Sequence, residues 1–504
     1  MSIRKLAIVC TFVLAAVAVP LSASAQSVGD ATSTFTYTKN MHPLGYSPRV
    51  VPTDNTVPGS GVFNSDLAFW GRTAVQGTYA GFRLVDVSDP EDPAEIINWT
   101  ECASPTNTVG NQGDVIVWGD LIFRSWNSGT PAPRYPDGTV IPVTDPARFT
   151  TPGAFCGDWP MFREPAAHPL PERGQEGVHI IDISDPQNPD VIGFVDTPCG
   201  SHTETLVPDV ANGRLLIYNN SSAGTIFGAP EDPNRISCRG IDIIQVPLSD
   251  PASASYLRFE PAGNPADPPE NHQSCHDTGV ILGSANLAAC AGSLATGNGA
   301  MVFSMNAADG GSKENPTWLY RVVTGGISLG HSAGFTWDGK VLIVGHEPGG
   351  GGGAECEATD DPLRRTFFFH NARTGAPVGR FTIPRTQTNT ENCTTHNFNV
   401  LPTDMGYVMV SGNYQSGISV ADFTDPANAK EIAYADPAPL VNPNNPAAIE
   451  LGGDWSSYWY NGLIYESDIT RGLIIWRLSY PMVAAAKRLG HLNPQTQETS
   501  FELK

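Results

Sequence analysis

Apolar and polar residues alternate along this chain in short bursts that end on a shared stop. The clearest bursts are GFRLVDVSDP at 81–90, GVHIIDISDP at 177–186, GIDIIQVPLSDP at 240–251 and GISVADFTDP at 417–426. A period of two rich in β-branched residues predicts a half-buried strand, and Ser/Thr-Asp-Pro predicts the turn that ends it. A second apolar run follows each: EIINW from Glu95, DVIGFV from Asp190, SYLRF from Ser255 and EIAYA from Glu431. Weaker copies pair AMVFSMN at 300–306 with TWLYRVV at 317–323, and RTFFFHN at 365–371 with VGRFTI at 378–383. GLIIWRLS from Gly472 is the last copy. No stretch before the C-terminal tail carries the spacing of an amphipathic helix.

A third kind of run precedes these pairs and opens on histidine or aspartate. His202 heads HTETLVP, His276 heads HDTGVIL, His331 heads HSAGFTW and His396 heads HNFNVLP. Asp66 heads DLAFWG, Asp114 heads DVIVWG and Asp454 heads DWSSYWYNG. A further strand follows each across a short turn, such as Asp338-Gly339 or Asn461-Gly462. Four strands in each of seven units predict an all-β, seven-bladed β-propeller. The headed strand comes first in its unit, so it is expected to be innermost and to line the channel. The units run roughly over 62–100, 113–196, 201–260, 275–323, 331–383, 395–435 and 453–478. The seventh lacks a clear fourth strand. NMHPLGYSPRVV, from Asn40, is expected to supply it and so remove an open sheet edge. The propeller is expected over 26–480, with 481–504 as a tail.

The glycine-led strand ending in Ser-Asp-Pro, together with DLAFWG and NMHPLGY, resembles the LVIVD-repeat proteins. The resemblance covers nearly the whole chain after residue 25. It implies a secreted propeller and no single activity.

Composition narrows the setting. Residues 1–25 read as a secretory signal: Arg4 and Lys5, an apolar stretch from Leu6 to Leu21, and a small-residue cleavage site at Ala23-Ser24-Ala25. A secreted or periplasmic protein with no membrane span is expected. Its removal deepens the formal charge of −22 to about −24, which argues against nucleic acid and anionic membranes as partners. The eight cysteines after residue 25 fit disulfides in an oxidising compartment. The blade map favours neighbours in sequence: Cys102–Cys156, Cys199–Cys238, Cys275–Cys290 and Cys356–Cys393. Thiolate metal ligation is the alternative.

Entry loops and insertions between second and third strands share one face of a propeller. The longest here are 127–176, 220–238 and 347–364. They cover a site or are tolerated decoration.

The chemistry is expected where the headed strands meet. His202, His276, His331 and His396 place four imidazoles on one arc, and such donors suit Fe, Zn, Mn or Cu. Asp66, Asp114 and Asp454 complete the circle, facing water or substrate, with Trp455 as an aromatic wall. Glu204 and Asp277 are candidate general bases, or carboxylates that orient the metal's ligands. His346-Glu347 reaches toward the channel mouth. Glu355, Glu357, Asp360 and Asp361 are a candidate Ca2+ loop, or a solvated acidic one. The competing reading makes all seven head residues hydrogen-bond caps between inner strands. The functional expectation is a metal-dependent oxidoreductase or lyase acting on a small organic or carbohydrate substrate. The alternative is a non-catalytic scaffold that binds a protein or glycan through the loop face. Oligomeric state is not legible.

Overall fold

A computed structural model of the chain describes residues 27–49, 63–103, 112–127, 139, 155–157, 159–160, 176–221, 224, 226–227, 236–283, 285–293 and 298–499. The expected signal and most of the 127–176 insertion lie outside the described residues.

Seven antiparallel four-stranded blades form the ring, each running outward from its headed strand. The inner strands are Asn64–Trp70, Val115–Trp118, Thr203–Asp209, Asp277–Leu282, Gly330–Phe335, Phe398–Val400 and Asp454–Tyr460. Blade seven takes its outermost strand from Met41–Pro48, which pairs with Gly472–Leu478 from Met41 opposite Leu478 to Pro48 opposite Gly472. The sheet is thus closed by chain from the opposite end, as the sequence pattern leads one to expect. Asn461 (φ 51°) and Gly462 (φ 104°) turn the blade-seven hairpin with two positive φ values, the geometry Asn-Gly favours.

Alternation explains the core. Each seam between blades has its own cluster of buried apolar side chains. Blades one and two share Ala68, Phe82, Leu84, Val115 and Trp126. Blades three and four share Val207, Tyr218, Ile243, Val280 and Phe303. Blades six and seven share Val410, Ile418, Trp459 and Trp476. One face of each sheet packs on the neighbour behind and the other on the neighbour ahead, so the third strands are buried on both faces rather than half-buried as their alternation predicts.

The four disulfides join the expected neighbours: Cys102–Cys156, Cys199–Cys238, Cys275–Cys290 and Cys356–Cys393. None of these cysteines is a thiolate ligand. The two α-helices among the described residues are single turns, Val28–Ala31 and Pro481–Ala484. None is long and apolar enough to cross a membrane.

The tail returns into the channel and stops its far end. His491–Leu492 pairs with Phe69 and Trp70 of blade one. Thr496–Glu498 pairs in parallel with Val280–Leu282 of blade four. Asn493 clasps the main-chain N–H and C=O of Val117 (2.8 and 2.9 Å), and Gln497 clasps those of Phe335 (3.1 and 2.6 Å). Thr496 donates to the Leu206 carbonyl at 2.6 Å. Innermost strands have a free backbone edge, and buried polar backbone must find partners. Here the tail supplies them for blades one to five, while Asn399 does the same for Trp459 across the seam between blades six and seven.

Candidate metal centre

The four histidines stand at the entrance of their inner strands, so one repeat position delivers four imidazoles at one level. Side-chain to main-chain bonds hold that level across the seams. Thr203 donates to the His276 carbonyl (2.6 Å), Ser332 to the His396 carbonyl (3.0 Å), and His396 Nδ1 to the Trp455 carbonyl (2.5 Å). The rings follow one another along an arc, with centroids 4.6 Å apart from His202 to His276, 4.1 Å to His331 and 4.4 Å to His396. Burial favours the neutral form of each. It pushes His202 down to about 4 and His396 to about 3, and holds His276 and His331 well below the usual histidine range, the neighbouring imidazoles adding to it.

Hydrogen bonds fix two of the tautomers. His396 gives its Nδ1 proton to a main-chain carbonyl, which leaves the Nε2 lone pair facing the channel. His202 is the reverse. The Gln112 main-chain N–H donates to Asn127 Oδ1 (3.0 Å), so Asn127 presents Nδ2 to His202 Nδ1 (2.9 Å). His202 Nδ1 therefore accepts, and Nε2 carries the proton toward His276 Nε2, 3.2 Å away. His276 Nδ1 and His331 Nδ1 are buried with no hydrogen-bond partner.

Glu347 joins this arc from blade five, one residue past the strand Val341–His346. Its Oε2 is 3.5 Å from His331 Nε2, and its Oε1 is 3.7 Å from His396 Nε2. Tyr414 donates to Oε1 at 2.6 Å. Burial pushes Glu347 up to about 8 against this bond. Donor atoms of His276, His331 and Glu347 all lie within 4.8 Å of one another, the one such group among the described residues. The four imidazoles thus form a row and not a closed shell, and a carboxylate completes the tightest group. His346 itself turns away: Nδ1 donates to the Leu363 carbonyl (2.9 Å) and Nε2 accepts from the Ser328 N–H (2.9 Å).

These donors form one wall of a cavity of about 270 Å3. Asp66 and Asp114 stand in the opposite wall, Tyr414 and Trp455 flank it, and Gln495 of the tail reaches it; among the described residues no Lys or Arg lines it. Asp66 accepts from Tyr458 (2.6 Å) and Gln495 (3.1 Å), and Asp114 accepts from the Glu204 N–H (2.8 Å). Asp454 does not line the cavity. It accepts from Ser457 at 2.6 Å and packs where a side chain on Gly412 would stand. Glu204 and Asp277 also lie outside it, both buried. Both Glu204 oxygens and Asp277 Oδ1 lack hydrogen-bond partners. Burial, then the nearby Asp66 charge, pushes Asp277 up to about 8.

Other expected contributors are placed elsewhere. Trp459 is core between blades six and seven. Trp159 packs against the core of blades one and two. In the acidic loop, Glu355 pairs with Arg364, while Asp360 and Asp361 accept main-chain N–H groups of Glu357 and Leu363. Those three carboxylates are turned to their own chain.

Sequence reasoning missed Tyr414 and did not separate Glu347 from His346. The two-residue alternation of a strand is the signal for the latter. Once His346 is tied to Ser328 and Leu363, in two separate loops, the next residue faces the channel.

A family model, the LVIVD repeat, matches residues 174–197, the outer half of blade two. No curated protein matches the chain. Among solved structures, the crystal structure of the computationally designed Ika8 protein is similar with a TM-score of 0.40 and 9% identity, over 84% of this chain and 98% of that one.

Proposed function

We propose that the channel holds a first-row divalent metal ion between His276, His331 and Glu347, in a secreted or periplasmic enzyme. The observation that carries this is the buried group of two imidazoles and a carboxylate, open to a cavity that no cationic side chain lines among the described residues. Buried carboxylates without a countercharge are costly, and a bound cation relieves that. Two histidines with one carboxylate suit iron, zinc or manganese, and flanking imidazoles extend the range to copper. Such an ion supplies Lewis acidity and, for iron or copper, redox chemistry.

The chain's own residues then set what can enter. The tail stops the far end, so access is from the loop face. The volume suits a small organic molecule or a single sugar ring. Asp66 and Asp114 offer acceptors opposite the donors, and Trp455 offers an apolar face. An oxidoreductase or lyase reaction on such a substrate fits this wall. Four disulfides fit export to an oxidising compartment.

Metal analysis of protein purified from its own host tests the reading. One equivalent of metal is expected, lost in His331→Ala and Glu347→Ala while the circular dichroism stays that of the parent. Native protein without metal, or variants that keep a full complement, would sink it and leave the loop face as a binding scaffold.

A further inference from the structure

Tyr414 is placed at evident conformational expense. Its φ of +54° lies in the left-handed region, one of three such non-glycine positions among the described residues. The other two, Asn286 and Asn461, are asparagines, which tolerate that region; a tyrosine there is strained. Strain of this kind persists where surroundings impose it, and it gathers at functional sites. The surroundings here are plain. The Tyr414 N–H and C=O are both bonded to Asp454 main chain at 2.8 Å, which locks the residue between blades six and seven.

The opposite side makes room for it. A Cβ on Gly351 would stand 2.1 Å from the Tyr414 hydroxyl oxygen and 2.3 Å from Cζ. Gly351 itself has φ +70°. It belongs to the glycine run at 349–353, which has no phosphate-loop lysine after it. Asn392 holds that run in place by donating to the Gly351 carbonyl at 2.9 Å, and Gln415, next to Tyr414, donates to Asn392 Oδ1 at 2.8 Å. Cys356–Cys393 staples the same two loops.

We infer that Tyr414, seated against Gly351, is a positioning residue that fixes Glu347 as a one-oxygen metal ligand; the inference rests on the metal reading above. The hydroxyl takes Glu347 Oε1, at 2.6 Å. That leaves Oε2, the oxygen beside His331 Nε2, for the ion. The glycine run thereby has a role: it is the space the hydroxyl needs. Partners that orient a ligand shift metal affinity about 10–100-fold.

Co2+ added to metal-free full-length protein is the probe, since its visible bands report ligand number and geometry. Tyr414→Phe is expected to bind Co2+ about 10–100-fold more weakly and to show altered bands, with the metal-free protein still folded. Gly351→Ala reaches the same hydroxyl from the other side and is expected to change the bands likewise. It decides the matter if Tyr414→Phe does not fold. Parent-like affinity and bands in a folded variant would overturn the role of Tyr414 and leave the metal reading standing. A parent protein that binds no Co2+ would overturn both.

Discussion

Blades three to six and blades seven, one and two begin their inner strands at one level and use it in opposite ways. On the aspartate side, each head residue accepts at least one hydrogen bond: Asp66 from Tyr458 and Gln495, Asp114 from the Glu204 N–H, and Asp454 Oδ2 from Ser457, its Oδ1 having no partner. These are the hydrogen-bond caps that tie a propeller together. On the histidine side, His276 and His331 keep ring nitrogens with no hydrogen-bond partner, and Glu347 leans toward two imidazoles at 3.5 and 3.7 Å. Buried polar groups are normally satisfied. An arc whose head residues each accept a hydrogen bond, beside an arc whose two central imidazoles and carboxylate converge, separates architecture from chemistry within one repeat position.

The largest expected effect tests whether the arcs are independent. Truncation after Arg488 removes the tail, and with it Gln495 from Asp66 and the amide clasps on Val117 and Phe335. It also removes Leu489 and Leu492, 8% and 4% exposed. Two buried leucines alone contribute about 1.5–3 kcal/mol each. Urea denaturation should show a loss of several kcal/mol of that order. The ring should persist, because Met41–Pro48 closes it without the tail. Metal content should persist too. A folded truncation that has lost its metal would show that the far end of the channel supports the imidazole arc.

A smaller effect is expected from within the aspartate arc. Asp66→Asn keeps the shape but cannot accept from both Tyr458 and Gln495 with the same strength. Leaving a buried partner unsatisfied costs about 1–3 kcal/mol. Tyr458→Phe should cost about as much, and the double variant less than the sum, because both remove one bond. Metal affinity measured by chelator competition should stay within about twofold for either, a change of under 1 kcal/mol. A large loss of metal in Asp66→Asn would place Asp66 among the ligands and erase the contrast between arcs.

The architecture was legible because its signals repeat. Gly-led alternation ended by Asp-Pro recurs at 81, 177, 240 and 417, and seven head positions set the blade number. The closing strand was legible because blade seven lacked one. The tail was not, because Asn493 and Gln497 work through side-chain amides that mimic a strand's backbone and leave no hydrophobic period. The histidines were legible by register, and their division of labour was not. Asp454 shares the head position of Asp66 yet faces a seam, since Gly412 in blade six leaves it a pocket there. Tyr414 hid because an aromatic residue past a strand end reads as packing.

The finest test concerns His202, which register alone makes equal to its neighbours. A neutral imidazole binds metal through the nitrogen without the proton. Asn127 donates to His202 Nδ1, so the free nitrogen is spent on the amide and the proton sits on the channel side. His202→Ala should therefore weaken metal binding less than His331→Ala does. Asn127→Asp sharpens the point. A carboxylate still accepts from the Gln112 N–H, but it must also accept from His202, which moves the imidazole proton to Nδ1 and frees Nε2 for the ion. Carboxylate–histidine–metal pairs of this kind raise ligand strength. Asn127→Asp is expected to tighten metal binding by about tenfold, near 1.4 kcal/mol, and to do nothing in a His202→Ala background. An equal gain in that background would mean that the added charge acts through space and that the His202 tautomer is not what keeps it out of the ligand set.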